Sequence, residues 1–279
     1  ALGSKVTVIA RSGLLGGMEP FAGERVAAGL KELHVDVRTG AGTTSVHRGA
    51  NGVTITLDGG EQITATEVLA ATGRSARSGD IGLDVVGLEP GRWIATDDTL
   101  RVPGSDWLYA VGDVNGRVLL THQGKYQARA AGDVIVARAQ GEDVDDAPWG
   151  RHVATADQAA VPQVTFSIPE VGSVGLTEAQ AVKAGIAVKA VDYDLGWVAG
   201  ASLYEDGFEG HARLVIDTDR DVVVGATFVG PEVAELVHAA TVAIVGEVPI
   251  ARLWHAVPSY PTISEIWLRL LEGYGRDSA

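Results

Sequence analysis

Apolar residues along the first half of the chain recur at spacings that predict alternating strands and helices. Residues 5–10 form a short apolar run typical of a buried strand, and the apolar positions of residues 24–33 have helical spacing. Residues 35–37 predict the next strand, and the alternation across residues 52–66, around an Asp-Gly-Gly turn, predicts a hairpin. This order of strand, helix and strand is typical of the α/β class.

Shorter apolar runs continue the pattern toward the middle of the chain. We expect strands at Val68–Ala71, Ile94–Thr96 and Leu108–Val111, and a helix over Leu120–Val136. The acidic segment Gln140–Trp149 predicts a linker to a further domain. The first half is therefore expected to be of the α/β class.

Beyond about residue 161 the pattern changes to strands that are grouped apart from helices. Two short strands flank a Pro-Glu turn, a helix begins after Thr177, and a hairpin turns at residues 217–220. Residues 232–245 and 264–271 predict helices, so this part is expected to form an α+β layer. The predicted domains are residues 1–73, 74–150 and 151–279.

Composition and charge narrow the classes of function. The chain has 279 residues, of which 46% are hydrophobic and 21% are charged, which is a globular composition with room for two domains. The net charge of −14 argues against nucleic acid as a partner, because a phosphate backbone would be repelled. No apolar run approaches the roughly 20 residues that span a bilayer, and no secretory signal precedes the first strand, so a cytoplasmic location is expected.

Candidate chemistry lies where the predicted strand Leu108–Val111 ends at Gly112 and Asp113. In open α/β sheets ligands bind at the carboxyl ends of strands, where an acid can accept hydrogen bonds from ribose or polyol hydroxyls. The first turn of the following helix offers backbone N–H groups to an electron-rich ligand atom. The segment predicts a cofactor site, whereas the alternative interpretation makes Gly-Asp an ordinary turn and Asp113 an ordinary helix cap.

The same residues resemble a known motif. Ala-Val-Gly-Asp-Val at residues 110–114, with Leu-Thr-His-Gln-Gly at residues 120–124, is similar to the second flavin-binding motif of the pyridine nucleotide–disulfide oxidoreductases, the family of dihydrolipoamide dehydrogenase and mercuric reductase. The resemblance implies that Asp113 holds the ribitol chain of FAD and that the helix start surrounds the pyrimidine edge of the flavin. The FAD-binding residues that it implies are Gly112, Asp113, Leu120, Thr121, His122 and Gly124.

A second set of residues concerns the nicotinamide cofactor. A dinucleotide-binding unit begins with a strand, a glycine-rich turn and a helix. At the tip of the strand that follows this helix, a carboxylate would bind the ribose 2′-hydroxyl of NAD, whereas an arginine accommodates the 2′-phosphate of NADP. This chain has Arg11 followed by Ser12, and their strand looks most like the mercuric reductase version, which favours NADPH over NADH. Thr72-Gly73-Arg74 resembles the family segment whose backbone runs beside the nicotinamide cofactor. Arginines on solvated loops are the alternative for both positions.

The sequence begins where the first helix of a nucleotide-binding unit would end, and Leu2-Gly3 resembles the tail of that helix. We therefore expect a C-terminal portion of a longer protein, with on the order of two hundred residues before Ala1. The family's redox-active cysteine pair belongs to that preceding part. The chain has no cysteine, which excludes disulfides, thiolate metal sites and a thiol redox centre within these residues, and no metal site is predicted.

One motif near the end of the chain departs from the family pattern. Pro-Thr-Ile-Ser-Glu at residues 261–265 matches a motif in which a histidine precedes the proline and pairs with the glutamate as acid and base for a dithiol. Tyr260 occupies the histidine position, and a phenol with an ordinary pKa of ~10 is a poor proton shuttle at neutral pH. Tyr260 and Glu265 are the predicted catalytic residues, Tyr260 as a hydrogen-bond donor or metal-ion ligand. A helix-start carboxylate is the alternative for Glu265, and His255 is an alternative base or a surface residue.

The resemblance implies a FAD-dependent NAD(P)H oxidoreductase that passes hydride from NAD(P)H to FAD and then electrons to a small-molecule acceptor. Without the acid/base histidine, a quinone or dye is favoured over a disulfide. The expected fold is a pair of partial, Rossmann-like FAD- and NAD(P)-binding domains followed by an α+β domain that joins two subunits in a homodimer. Two alternatives stay open: an enzyme like mercuric-ion reductase, and a dimerisation or scaffold fragment without turnover.

Overall fold

The computed structural model describes residues 3–276, so Leu2 and its expected place at a helix end lie outside the described residues. The chain forms two compact units, of which the first combines residues up to 70 with those from 162 onward and the second comprises residues 71–161. The elements of residues 3–70 are β1 (Thr7–Ala10), α1 (Pro20–Glu32), β2 (Asp36–Thr39), β3 (Thr43–Gly49), β4 (Gly52–Leu57) and β5 (Gln62–Ala65).

These first elements form two small sheets. Strands β1 and β2 pair in parallel, and β3, β4 and β5 form an antiparallel meander. Strand β4 buries Val53, Ile55 and Leu57, which alternate with partly exposed residues, as a strand with one buried face requires. Both the helix predicted at residues 24–33 and the hairpin predicted at residues 52–66 are confirmed.

The second unit has little regular structure apart from one long helix. Its helices are α2 (Thr121–Gln140) and α3 (Ala156–Ala159), and two 3₁₀ turns cover Leu83–Val86 and Gly112–Asn115. Helix α2 confirms the helix predicted at Leu120–Val136 and extends it by one turn. Small residues of α2 pack with Leu100, and a second apolar cluster gathers around Val102 and Ala110.

The rest of the first unit is a layer of strands and helices, as predicted. Its elements are β6 (Gln163–Thr165), β7 (Glu170–Gly175), α4 (Glu178–Lys183), β8 (Val188–Asp194), α5 (Ala199–Tyr204), β9 (His211–Asp217), β10 (Val222–Gly230), α6 (Val237–Val245), α7 (Ile250–Leu253) and α8 (Ile266–Tyr274). The strands form one antiparallel sheet in the order β6-β7-β10-β9-β8. Helix α6 packs on β10 and β7, and α8 packs on β8 and β9.

Helix α1 joins the early residues to this sheet. Ala22 and Val26 on α1 pack with Val171 and Val229 of the sheet in one buried cluster. Just before the helix, the buried carboxylate of Glu19 accepts a hydrogen bond from the Glu178 backbone N–H at 2.7 Å and one from Arg213 at 3.1 Å. The charge of this buried acid is therefore compensated, which makes its burial possible.

Three predicted strands are wrong. Residues 68–71 are irregular and exposed, with Leu69 90% accessible, and no strand of the described residues pairs with them. Residues 94–96 are not a strand either, because the Ile94 N–H donates to Val114 O instead of a ladder partner. Residues 108–111 keep only a single bridge between Tyr109 and Arg101. An apolar run predicts burial, but a strand also needs a neighbouring strand.

In the part of the chain that the structure describes, none of the helices has the length and apolar character needed to cross a membrane.

Candidate cofactor-binding site

The turn that carries Asp113 is held in contact with the start of α2. Gly112 has φ 74°, a left-handed conformation that favours glycine, and its N–H donates to Gln127 Oε1 at 2.7 Å. A Cβ on Gly124 would lie 3.2 Å from Gly112 Cα, so a side chain there would crowd the turn. The two glycines that belong to the flavin-binding motif by resemblance therefore contact each other through their backbones.

Asp113 is half exposed and forms an ion pair with Arg74. Its Oδ2 accepts a hydrogen bond from Arg74 Nη1 at 2.8 Å, and the same Nη1 donates to Leu119 O at 3.1 Å. Among the described residues, nothing donates to Asp113 Oδ1. The structure thus brings together two predicted site residues, one assigned to FAD and one to the nicotinamide cofactor, and leaves one carboxylate oxygen open to a ligand.

An open pocket of about 440 Å³ lies against this ion pair. Its lining includes Gly73, Arg74, Arg77, Trp93, Asp113 and Val114. Thr72 and Gly73 are exposed, and Gly73 has φ 112°. The pocket combines two cationic side chains, one anionic side chain and one indole ring, which suits a ligand with hydroxyls, phosphates and an aromatic ring.

The beginning of α2 is not capped by a side chain. Leu120, the N-cap residue, is half-buried and makes no capping hydrogen bond, while Thr121 and His122 are exposed. The first N–H groups of a 20-residue helix carry the positive end of its dipole. The backbone N–H groups at this helix end can therefore donate hydrogen bonds to an electron-rich ligand atom.

Beneath the turn lies a buried polar cluster that sequence reasoning missed. It comprises Asn115, Arg117, Gln123, Gln127 and Asp157, and the Asp157 side chain is 1% exposed. Burial raises the pKa of Asp157 above its ordinary value, although Arg117 and the two glutamine amides oppose the shift. Two glutamines four residues apart on the otherwise apolar face of a helix are the signal that could have indicated this cluster.

Arg11 and Ser12 follow β1 directly, where the sequence placed them. Both are exposed, and Arg11 has no ion-pair partner among residues 3–276. The Ser12 hydroxyl makes only a long contact of 3.5 Å to Gly13 O. Their role in binding a 2′-phosphate stays a prediction.

Tyr260 and Glu265 lie in very different environments. Tyr260 is 76% exposed, as is typical of a surface residue, whereas Glu265 is 4% exposed. Glu265 Oε1 accepts hydrogen bonds from Arg269, the shorter at 2.6 Å, and Oε2 accepts one from the Ala199 N–H at 3.2 Å. A structural carboxylate at a helix start, the alternative interpretation of Glu265, would have partners of this kind. His255 is exposed, and the catalytic role of all three residues stays a prediction.

Among the described residues, no three His, Asp or Glu side chains are grouped as ligands of a metal ion. Two family profiles match the sequence and together cover most of it. Residues 1–141 match the pyridine nucleotide-disulphide oxidoreductase family, and residues 161–270 match its dimerisation domain. The chain belongs to the pyridine nucleotide–disulfide oxidoreductases.

Members of this oxidoreductase family with similar sequences are dihydrolipoyl dehydrogenases. The protein from Staphylococcus aureus is 28% identical over 275 residues, covering 97% of this chain and 56% of the relative. The protein from Rhizobium etli is 30% identical over 253 residues, covering 88% of this chain and 50% of the relative. The chain therefore spans about half the length of the curated relatives that it matches.

Solved structures of similar fold confirm the predicted fold class. LpdA from Mycobacterium tuberculosis superposes with a TM-score of 0.81 at 23% identity, covering 99% of this chain and 57% of LpdA. The Cu(II) complex of the flavoprotein disulfide reductase RclA from Escherichia coli gives 0.80 at 20% identity, covering 97% of this chain and 58% of RclA. The fold therefore agrees with the order given by the family matches, in which the oxidoreductase part precedes the dimerisation domain.

Proposed function

We propose that the chain serves a FAD-dependent NAD(P)H oxidoreductase, in which hydride passes from NAD(P)H to FAD and electrons pass on to an acceptor. The observation that carries this proposal is Asp113, a half-exposed carboxylate on a glycine turn at the uncapped start of α2. When bound, FAD supplies the redox chemistry, and the protein supplies position and electrostatics. The proposed cofactor residues remain Gly112, Asp113, Leu120, Thr121, His122 and Gly124.

The residues of the site fit a flavin. Asp113 Oδ1 is open to a polyol hydroxyl, and the contact between Gly112 and Gly124 lets a flat ring approach the backbone without meeting a Cβ. The α2 start suits the electron-rich edge of the ring. In this arrangement Asp113 orients the ribitol chain, while the helix end stabilises negative charge near the ring.

For the nicotinamide cofactor we propose NADPH in preference to NADH. Arg11 is an exposed cation at the end of β1 without an ion-pair partner in the described part of the chain, so it can bind a 2′-phosphate. Ser12 can donate a further hydrogen bond. Residues 72–74 are proposed separately, from the family resemblance, to bind the nicotinamide cofactor.

A quinone or dye is the proposed acceptor. The chain has no cysteine, and Tyr260, which stands where the family has a histidine, is exposed and not hydrogen-bonded to Glu265. A disulfide acceptor would need a cysteine pair from outside this sequence and another proton shuttle.

We also propose a homodimer formed through the dimerisation domain. Large apolar side chains of this part are exposed, including Phe166 at 81%, Trp197 at 75% and Val257 at 84%. Side chains of this size are available to a partner surface, and the match to a dimerisation domain makes a second copy of the chain the proposed partner. The three-domain division at residues 73 and 150, a cytoplasmic location and the lack of a nucleic-acid partner stay predictions.

The absorption spectrum of the full-length protein tests the proposal. We expect visible flavin bands that NADPH bleaches in the absence of oxygen and that a quinone restores. A colourless protein, or a flavin that NADPH and NADH both leave oxidised, would contradict the proposed function. Lipoamide in place of the quinone tests the acceptor, and faster reoxidation by lipoamide would contradict the proposed acceptor class.

A further inference from the structure

We propose that Asp157 and Gln127 form a positioning pair for the flavin site, in which the Asp157 carboxylate fixes the Gln127 amide so that it holds the turn before Asp113. The inference rests on the proposed function, because Asp113 is the residue that would bind FAD. Neither Asp157 nor Gln127 would touch the cofactor: Gln127 is fully buried, and the side chain of Asp157 is 1% exposed.

Hydrogen bonds fix the orientation of the Gln127 amide from both ends. Its Oε1 accepts from the Gly112 N–H at 2.7 Å and from Asn115 Nδ2 at 2.8 Å, and its Nε2 donates to Asp157 Oδ2 at 2.9 Å. A backbone N–H is always a donor and a carboxylate without its proton is always an acceptor. The amide therefore satisfies all these partners in only one of its two orientations.

Asn115 cannot reverse its orientation either. Its Nδ2 also donates to Ala110 O at 3.1 Å, and its Oδ1 accepts from the Arg117 N–H at 2.9 Å. Both partners are backbone groups with fixed roles. The donor and the acceptor are thus determined in each hydrogen bond that links Ala110, Asn115 and Gln127.

Asp157 is the end of this series of hydrogen bonds. Besides Gln127, its carboxylate accepts from Gln123 Nε2 at 3.0 Å and from Arg117 Nε at 3.0 Å. Gln123 and Gln127 lie in the first two turns of α2, so Asp157 also ties the start of this helix to the turn. Removing the carboxylate would leave buried N–H groups without an acceptor and free the Gln127 amide to rotate.

Two variants and their combination test the pair in the full-length protein. Asp157→Leu removes the buried acceptor at similar size, and Gln127→Met removes the oxygen that holds Gly112. We expect each to weaken FAD binding about tenfold, since one hydrogen bond on the turn is lost, and the double variant to lose about the same tenfold. The measurement is a titration of the FAD-free protein followed by flavin fluorescence.

Asp98→Asn is the matched control. Asp98 also pairs with Arg117, at 2.9 Å, but it is exposed and does not contact Gln127. We expect this variant to bind FAD like the wild type. The proposal would be overturned if Asp157→Leu bound FAD as tightly as the control. It would also be overturned if the double variant bound FAD about a hundredfold more weakly, because the free energies of two independent sites add.

A second readout does not depend on FAD. Hydrogen exchange of the peptide covering residues 110–116 in FAD-free protein should be faster in both single variants than in the wild type and Asp98→Asn. Equal exchange in all four proteins would overturn the proposal. If Asp157→Leu does not fold, the FAD affinity and the hydrogen exchange of Gln127→Met test the proposal. A wild type that binds no FAD contradicts the proposed function, whereas exchange still shows whether the pair holds the turn.

Discussion

At the scale of single residues, the ion pair between Arg74 and Asp113 occupies one oxygen of the proposed ligand-binding carboxylate with only a weak interaction. The two side chains are 59% and 55% exposed, and an ion pair exposed to that degree contributes about 0–1 kcal/mol. A hydroxyl of a bound ribitol chain can therefore replace Arg74 on the carboxylate at small cost. Arg74 would then be available to the pocket beside it.

Arg11 gives a prediction about cofactor preference. Arg11→Glu should lower the preference for NADPH over NADH by about tenfold or more, because a carboxylate repels a 2′-phosphate and accepts a hydrogen bond from a 2′-hydroxyl. The measurement is the rate of flavin reduction with each nucleotide in the full-length protein.

Lys5→Glu is the control for the change in charge. Lys5 is exposed and lies before the opposite end of β1, so its substitution should leave the preference unchanged. An unaltered NADPH preference in Arg11→Glu would refute the role of Arg11.

The positions of single residues could be predicted where the residues of a motif are neighbours in the sequence. Gly112 and Asp113 could be placed at a turn before a helix from the local sequence, and the structure puts them there. Asp157 could not be placed, since it acts on residues 30 and 34 positions earlier in the chain. A buried hydrogen-bonded cluster depends on tertiary contacts, which periodicity does not indicate.

At the scale of elements, charged side chains join β8 and β9 across the sheet. Arg213 on β9 donates two hydrogen bonds to Asp192 on β8, both at 2.9 Å, and His211 Nε2 lies 2.8 Å from Asp192 Oδ1. Partial burial pushes the pKa of Asp192 upward, but the hydrogen bonds and charges of Arg213 and His211 outweigh it. The pKa of Asp192 therefore lies below its ordinary value of 3.8.

This shift predicts a pH dependence of stability. A carboxyl whose pKa is lower in the folded than in the unfolded state contributes stability above pH 3.8, and that contribution is lost as the pH falls through the folded-state pKa. Asp192→Asn removes the titrating group. The melting temperature of the variant should consequently lie below that of the wild type at about pH 5, and the difference should narrow as the pH falls below 3.8.

Thermal unfolding at several pH values measures this difference. Asp206→Asn serves as the control, because Asp206 is exposed and makes no ion pair in the described residues. A gap between Asp192→Asn and the wild type that stays constant or widens as the pH falls would contradict the prediction.

Prediction of elements succeeded where the signal is local. Thr177 before an acidic first turn indicated the start of a helix, and in the structure Thr177 caps α4 and forms a reciprocal capping box with Gln180. The strand predicted at residues 68–71 failed because its apolar run has no pairing partner in the described residues. A helix forms its hydrogen bonds within itself, whereas a strand depends on a neighbour.

At the scale of the whole molecule, the family assignment rests on most of the length of the chain. Profile matches cover residues 1–141 and 161–270, and the fold agrees with those of LpdA and RclA over nearly all of the chain. Sequence resemblance could predict this family and fold class because several short motifs agree in order. It could not predict the acceptor, since Tyr260 departs from the family motif at the position that handles protons.

The central claim is that Asp113 binds the ribitol chain of FAD, and FAD titration of the full-length protein tests it most directly. Asp113→Ala should bind FAD about 10- to 100-fold more weakly than the wild type, because hydrogen bonds to a charged acceptor are lost. Asp106→Ala, which changes a fully exposed carboxylate of the same unit, should bind like the wild type. Equal affinity of Asp113→Ala and the wild type would contradict the account.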